Sequence, residues 1–245
     1  MAHGVTKLAE ARRVDAAEDE PKTRRKTREA TVENSAFRPL HERMREDIIS
    51  GDLSEGSWLK THDLAGRYGV STNPIREALH QLSGEGFVVL IRNRGARVRM
   101  LDEPFVRNIF DIRALIEPYL IRLFVEQASE ADIEEARSFQ RQIEAMPRDQ
   151  VVLDALDEGF HGVMYGRHFN HEALSIRQRH GEVVRALARR HPASPARRLA
   201  MIAEHQEILA AVERHDVEGA AKVVAKHARG AERHLIERMR QGRPA

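Results

Sequence analysis

Residues 70–87 read VSTNPIREALHQLSGEGF. Ser71 stands where a helix-capping side chain accepts a bond from a free backbone N–H. Pro74 falls in the first turn, whose N–H groups have no intrahelical partners. Ile75, Leu79 and Leu82 recur at i, i+4 and i+7, which makes one apolar stripe, and Gly84 and Gly86 are expected to stop the helix. The opposite face carries Thr72, Asn73, Arg76 and His80, small, polar and basic groups with no use in a core. That face calls for an external partner.

Upstream, Leu40, Met44 and Ile48 form a second helical stripe, followed by the turn-rich SGDLSEGS (50–57) and a candidate short strand at Trp58–Leu59. A short helix is expected from Thr61 or His62 through Tyr68, ending at Gly69 where the chain must turn sharply. Downstream, FVVLIRNRGARVRM (87–100) reads as two strands around Asn93-Arg94-Gly95. Three helices, a tight turn and an arginine-bearing hairpin make a winged helix-turn-helix. In that motif the second helix enters the major groove and its first residues reach base edges. Arg76 can bond a guanine edge through two donors or clamp a phosphate, and Asn73 can pair with adenine. Ser71 and Thr72 can bond phosphates or bases, and His62 opens the preceding helix beside them. Arg92, Arg94 and Arg97 on the wing would meet phosphates, and Gly95 lets the tip approach the minor groove. The plain alternative is that Arg76 and Glu77 only pair within the domain.

The rest of the chain sets limits on this reading. With no cysteine among 245 residues, disulfides, thiolate metal sites and thiol catalysis are excluded together. No apolar run reaches membrane-span length, and the N-terminus has no secretory apolar core, so a cytoplasmic protein is expected. Net charge is only +2, so the basic character is local: residues 88–100 hold Arg92, Arg94, Arg97 and Arg99 and no acid. Residues 1–36 are polar and mixed in charge, with a basic cluster at 21–29, and read as a flexible charged arm.

After Met100 the pattern is helical throughout, with six helices expected near 104–127, 130–146, 150–167, 171–190, 195–214 and 216–240. This region holds nine of the thirteen histidines. Three lie on apolar stripes: His161 with Phe160 and Met164, His205 with Ile208 and Leu209, His227 with Val223 and Val224. Asp157 lies one turn before His161 on the same face. One carboxylate and three imidazoles from three helices could converge on a divalent cation, as helical bundles build metal sites. Zinc, nickel, manganese and iron all suit that donor set. By spacing alone, core histidines with ordinary partners explain the pattern as well. His168, His171, His180, His191 and His215 sit near helix ends or breaks and read as solvated.

These motifs carry a resemblance. LHERMREDIISGDLSEGSWLKTHDLAGRYGVSTNPIREALHQLSGEGFVVLIRNRGARV (40–98) resembles the DNA-binding domain of GntR-family transcription regulators, most closely in DLA--YGVS, PIREAL and NRGARV. The family usually has arginine where this chain has Thr72 and often threonine at Asn73, so its operator preferences transfer poorly. The helical region resembles the FCD effector domain of one branch of that family, through DEGFH (157–161), EHQEILAAVERHD (204–216) and AKHARGAERHL (225–235). By that similarity Asp157, His161, His205 and His227 are metal ligands, with His234 the rival for the last place. Six helices resemble the shorter VanR-like version rather than the seven-helix FadR-like one. DIRALIEPYL (111–120) resembles a D-x-R-x-x-x-E element, which implies that Arg113 faces an effector cavity and pairs with a carboxylate. A salt bridge from Arg113 to Glu117 is the structural alternative.

The expected fold is mainly α. A flexible arm (1–36) precedes a winged helix-turn-helix (37–100), an all-helical effector-binding and dimerisation domain (101–240) and a short tail (241–245). The implied function is a homodimeric transcription regulator, a repressor, whose hold on double-stranded operator DNA responds to a small organic acid at a divalent metal site. A metal-dependent enzyme acting on a small carboxylate and an architectural DNA binder with an inert helical domain are the competing expectations.

Overall fold

Why residues 40–100 and the helical region share one core follows from where their apolar stripes meet. The computed structural model describes residues 38–145 and 147–242. The arm expected over 1–36 and residues 243–245 of the tail lie outside them. From Leu40 onward the chain forms one compact unit. It begins with helix α1 (Leu40–Ser50), strand β1 (Trp58–Leu59), α2 (Thr61–Tyr68), α3 (Thr72–Glu85), β2 (Val88–Ile91) and β3 (Gly95–Val98). Six helices follow: α4 (Glu103–Gln127), α5 (Glu130–Glu144), α6 (Gln150–Tyr165), α7 (His171–Arg190), α8 (Pro195–Glu213) and α9 (Val217–Gln241). The fold is a winged helix-turn-helix followed by an all-helical bundle.

In the winged domain the three strands pair antiparallel in the order β1-β3-β2, with Leu90 opposite Ala96 and Ile91 opposite Gly95 at the wing. Both sides of the tip use the left-handed region, Asn93 at φ 60° and Gly95 at φ 92°. Asparagine and glycine tolerate that conformation better than other residues. Ser71 takes the N-cap position of α3 with extended backbone, but its hydroxyl makes no capping bond. The expected cap is absent and the hydroxyl stays exposed. Gly84 does not end α3. It lies inside the last turn, because one helical glycine costs only about 1 kcal/mol, less than the buried Leu79 and Leu82 gain by packing. Gly86, at φ 93°, breaks the ladder instead.

Two apolar cores result. The first gathers Met44, Ile48, Ile75, Leu82, Phe87 and Val98 of the winged domain, and also Val106, Ile109 and Phe110 of α4, Val183 and Leu187 of α7, and Leu235 and Ile236 of α9. The packing therefore runs across residue 100 without a break. Charged groups reinforce the seam: Arg45 of α1 lies 3.2 Å from Glu85 of α3 and 3.9 Å from Glu182 of α7, and Arg190 bridges to Glu55 at 3.1 Å. The second core lies inside the bundle, around Leu120, Ile121, Phe160, Met164, Ile208 and Val224. There α5 and α6 approach closely at Gly159, where an added Cβ would fall 2.3 Å from the Phe139 ring. That contact holds α6, with Asp157 and His161 on it, against α5. Among the described residues no helix is long and apolar enough to cross a membrane.

Candidate metal centre and nucleic-acid interface

The bundle's polar centre starts from helix phase. Asp157 and His161 are one turn apart on α6 and point to the same side. His205 on α8 and His227 on α9 face them from across the second core, all three histidines being buried. The three rings lie 4.9–5.3 Å apart between centroids. One nitrogen from each histidine and one oxygen of Asp157 lie within 4.8 Å of one another. Asp157 Oδ1 is 3.5 Å from His205 Nε2 and 4.0 Å from His161 Nε2. Two ligands bound to one ion at about 2.1 Å stand about 3 Å apart at a right angle and about 4.2 Å apart when opposed. Both measured separations fall in that interval.

Burial raises the Asp157 carboxyl above its ordinary range, whereas the imidazoles of His161 and His205 are held in the form that binds metal. Burial first, then the fields of neighbouring imidazoles and arginines, hold His161 and His205 well below the usual histidine range. Neutral imidazole is the form a metal takes. His205 Nδ1 lies 3.1 Å from Gln140 Oε1, whose amide nitrogen is turned to Glu144 and the Ile202 carbonyl. The Nδ1–H must therefore donate, which leaves the Nε2 lone pair facing Asp157. His227 Nδ1 lies 2.8 Å from Glu204 Oε2, and Arg197 clamps the same oxygen at 2.8 Å. That is the carboxylate–histidine arrangement that fixes tautomer and ring orientation at metal sites. Asp157 is 36% exposed as a side chain, yet its Oδ1, like His161 Nε2 and His205 Nε2, is shut from solvent and has no hydrogen-bond partner among the described residues. Polar atoms buried this way are costly unless something satisfies them, and a cation satisfies all of them together. The four residues could hold a metal ion.

Other histidines depart from expectation. His168 and His180 are buried, not solvated. His168 accepts from the Asn170 N–H, stacks on Phe169 and meets the Tyr119 ring at a tilt, and His180 sits in mid-helix on the inner face of α7. His171 and His215 are exposed as expected, and His191 is half-buried. His234 is occupied elsewhere, its Nε2 accepting from the Ser194 N–H at 3.2 Å. Arg113 forms the intrahelical pair, donating from Nε to Glu117 Oε1 at 2.6 Å. Gln140 gave no site signal in the sequence, and Glu204 stood in the 204–216 motif without being assigned a role. Glu204 only neighbours His205, and Gln140 comes from a helix far back along the chain. Glu204→Gln is expected to weaken zinc binding about 10–100-fold in competition with a chelator. Unchanged affinity would mean that Glu204 serves only Arg197.

The second surface is the N-terminal end of α3. Ser71, Asn73 and Arg76 are exposed, Thr72 is half-buried, and His62 is exposed at the start of α2. The first turn of α3 holds no acid, so its positive dipole end is available to phosphate. Among the described residues Arg76 bonds only Asn73 of its own helix, at 3.3 Å. Arg92 and Arg94 are exposed on the wing beside Gly95. Arg97 is exposed too, but its Nε–H donates to the Gly56 carbonyl, which turns part of its guanidinium back onto the domain.

A winged helix-turn-helix packed on an all-helical bundle defines the class of a DNA-binding protein with a helical C-terminal region. Comparison with known proteins narrows it. A family model described as bacterial regulatory proteins, gntR family, matches residues 38–98, and one described as the FCD domain matches residues 108–230. The HTH-type transcriptional repressor GlaR of Escherichia coli (strain K12) is 29% identical over 198 residues, 75% of this chain and 88% of that protein. Among solved structures, a GntR-type regulator from Rhodococcus sp. RHA1 is 20% identical over 87% of this chain and 98% of its own, with TM-score 0.59. A metal-free FCD domain is 19% identical over 58% of this chain and 99% of its own, with TM-score 0.50. The chain belongs to the GntR family of DNA-binding transcription regulators, in the branch that carries an FCD domain. Its relatives are regulators, not enzymes.

Proposed function

We propose that this chain is a cytoplasmic repressor whose hold on operator DNA is set by a small organic acid bound beside a divalent transition metal. Asp157, His161, His205 and His227 would hold the ion, be it zinc, nickel, manganese or iron. A bound ion would offer a Lewis-acidic seat to the acid's carboxylate. Arg113, fixed by Glu117, lines the same interior. Two copies, related by a two-fold axis, would set two α3 helices on a pseudo-palindromic site, with Arg76, Asn73, Thr72 and Ser71 toward the groove, His62 beside them and Arg92, Arg94, Gly95 and Arg97 on the flanking backbone.

The observation that carries this reading is the set of converging ligand atoms without protein partners, inside the same packed unit as an arginine-led recognition helix. Regulation needs the ligand to prefer one domain arrangement over another. A ladder of ion pairs links the two regions: Glu158, next to Asp157, holds both Arg177 and Arg185. Arg185 reaches Glu182 at 2.9 Å, and Glu182 meets Arg45 of α1. A ligand that shifts α6 therefore pulls on groups that also fix α1 and the end of α3. Selection of duplexes from a random-sequence pool by the purified chain is expected to converge on one inverted repeat. A pool that never enriches, or one that enriches a site without two-fold symmetry, overturns the reading.

A further inference from the structure

The tip of α3 carries a bond that limits what it can read. Arg76 Nη1 donates to Asn73 Oδ1 at 3.3 Å, and both side chains are exposed. A guanidinium has N–H donors and no acceptor, so the Asn73 amide must turn its oxygen to Arg76. The amide nitrogen, with its two donors, is the end left for a partner. The rest of the tip agrees. The first turn of α3 holds no acid, and the Ser71 hydroxyl is not spent on a capping bond. Thr72 is half-buried, and Pro74 has no N–H. Glu77 is the one acid among residues 71–80. It stands a full turn beyond Asn73, and among the described residues no bond joins it to Asn73 or Arg76. Asn73 and Arg76 therefore form a pair that offers donors alone, and the carboxylate acceptors of this face sit one turn further along the helix.

Base edges in the major groove differ in the matching way. Guanine presents N7 and O6, both acceptors, and thymine presents O4. Adenine presents N7 beside an N6 amino donor, and cytosine an N4 amino donor. The pairing of asparagine with adenine uses both ends of the amide, the oxygen on N6 and the nitrogen on N7. Asn73 can make it only by giving up the bond from Arg76, and it then sets an amino group beside the guanidinium. A keto base keeps that bond and accepts the amide N–H on O6 or O4. Inside a groove that has lost its water, an unmatched donor or acceptor is costly, so the arrangement that keeps every group paired is favoured.

We infer that Asn73 reads a keto base, guanine or thymine, rather than adenine, with Arg76 on the same or the neighbouring base pair. This rests on the reading of α3 as the helix that enters the groove. Asn73 sets specificity through its amide nitrogen. Arg76 has two tasks, to meet a base itself and to fix which end of the Asn73 amide faces the DNA.

The test is selection of duplexes from a random-sequence pool by the full-length wild type, Asn73→Ala and Asn73→Asp. Wild type is expected to fix guanine or thymine at one position of each half-site, and Asn73→Ala to accept all four bases there while keeping the other fixed positions. A carboxylate offers acceptors alone, so Asn73→Asp should move that position to cytosine or adenine. Fluorescence anisotropy on the selected duplex gives the size of the effect. Exchanging the keto base for adenine or cytosine in both half-sites is expected to weaken wild type about fivefold or more, and Asn73→Ala by less than about twofold. Should Asn73→Asp enrich nothing, the alanine comparison still decides. Adenine or cytosine in wild type at the position that Asn73→Ala releases, or one identical site selected by wild type and Asn73→Ala, overturns this inference and leaves α3 as the recognition helix. A pool that wild type never enriches overturns both.

Discussion

Purified without a polyhistidine tag and loaded with zinc, the wild-type chain is expected to keep one ion per subunit through dialysis, and His161→Ala is expected to keep none. Of the four proposed ligands, His161 is the one whose loss should be largest, because neither of its ring nitrogens has a hydrogen-bond partner among the described residues. His205 and His227 each spend Nδ1 on a fixed acceptor and would hold their places in an emptied site. Removing an outer-shell partner at a metal site costs about 10–100-fold in affinity, and removing a ligand should cost at least that much. The competing account is that the three rings are packing groups. Under it, His161→Ala leaves a cavity and lowers the melting temperature, but zinc has no effect on either protein. Under the metal reading, zinc at about 1,000 times its Kd stabilises the wild type by about 4 kcal/mol, and that increment vanishes in the variant. His205→Ala should behave alike. No stoichiometric ion in the wild type, before or after loading, would refute the centre.

How far the sequence could be read differs between the two surfaces, and the reason is range. The recognition helix is legible from adjacent residues: the stripe of Ile75, Leu79 and Leu82 is local, and so is the polar face it leaves outside. Asp157 and His161 are local too, one turn apart. Their convergence with His205 and His227 is not, because it depends on how three helices dock: the apolar stripes allowed it alongside ordinary core histidines, and the family resemblance favoured it. What stayed hidden was the supporting shell. Gln140 looks like any surface glutamine of α5 until α8 packs against it and puts His205 within reach. His168 and His180 sit beside polar neighbours in sequence, but the tertiary fold covers both. The Ser71 cap and the Gly84 stop failed for a related reason: local preference named a residue that could do the job, and packing gave the job to its neighbour or to none. The cut at residue 100 follows a change in pattern, whereas the first core draws on α4, α7 and α9 as much as on the strands.

Arg76→Ala is expected to abolish specific duplex binding while leaving the fold intact. The side chain is exposed, and its one bond among the described residues, to Asn73, lies on its own helix, so truncation removes no bond between elements there. Each arginine that reads a base edge through two donors is worth about 1–3 kcal/mol. A two-fold dimer loses the contact twice, about 2–6 kcal/mol if the half-sites act independently. At 1.4 kcal/mol per factor of ten, that is a fall of about 30-fold to more than 10,000-fold in affinity. Arg94→Ala provides the contrast. A wing arginine on phosphate carries no sequence information, so its loss should weaken selected and unrelated duplexes alike and reduce the salt dependence by about one counterion per wing. The two variants are thus expected to differ in kind, Arg76→Ala erasing the gap between the selected duplex and a scrambled one, Arg94→Ala lowering both. Fluorescence anisotropy over a series of salt concentrations measures both quantities, and circular dichroism checks the fold. Wild-type affinity for the selected duplex in Arg76→Ala, at physiological salt, would mean that α3 reads DNA through other residues or does not enter the groove at all.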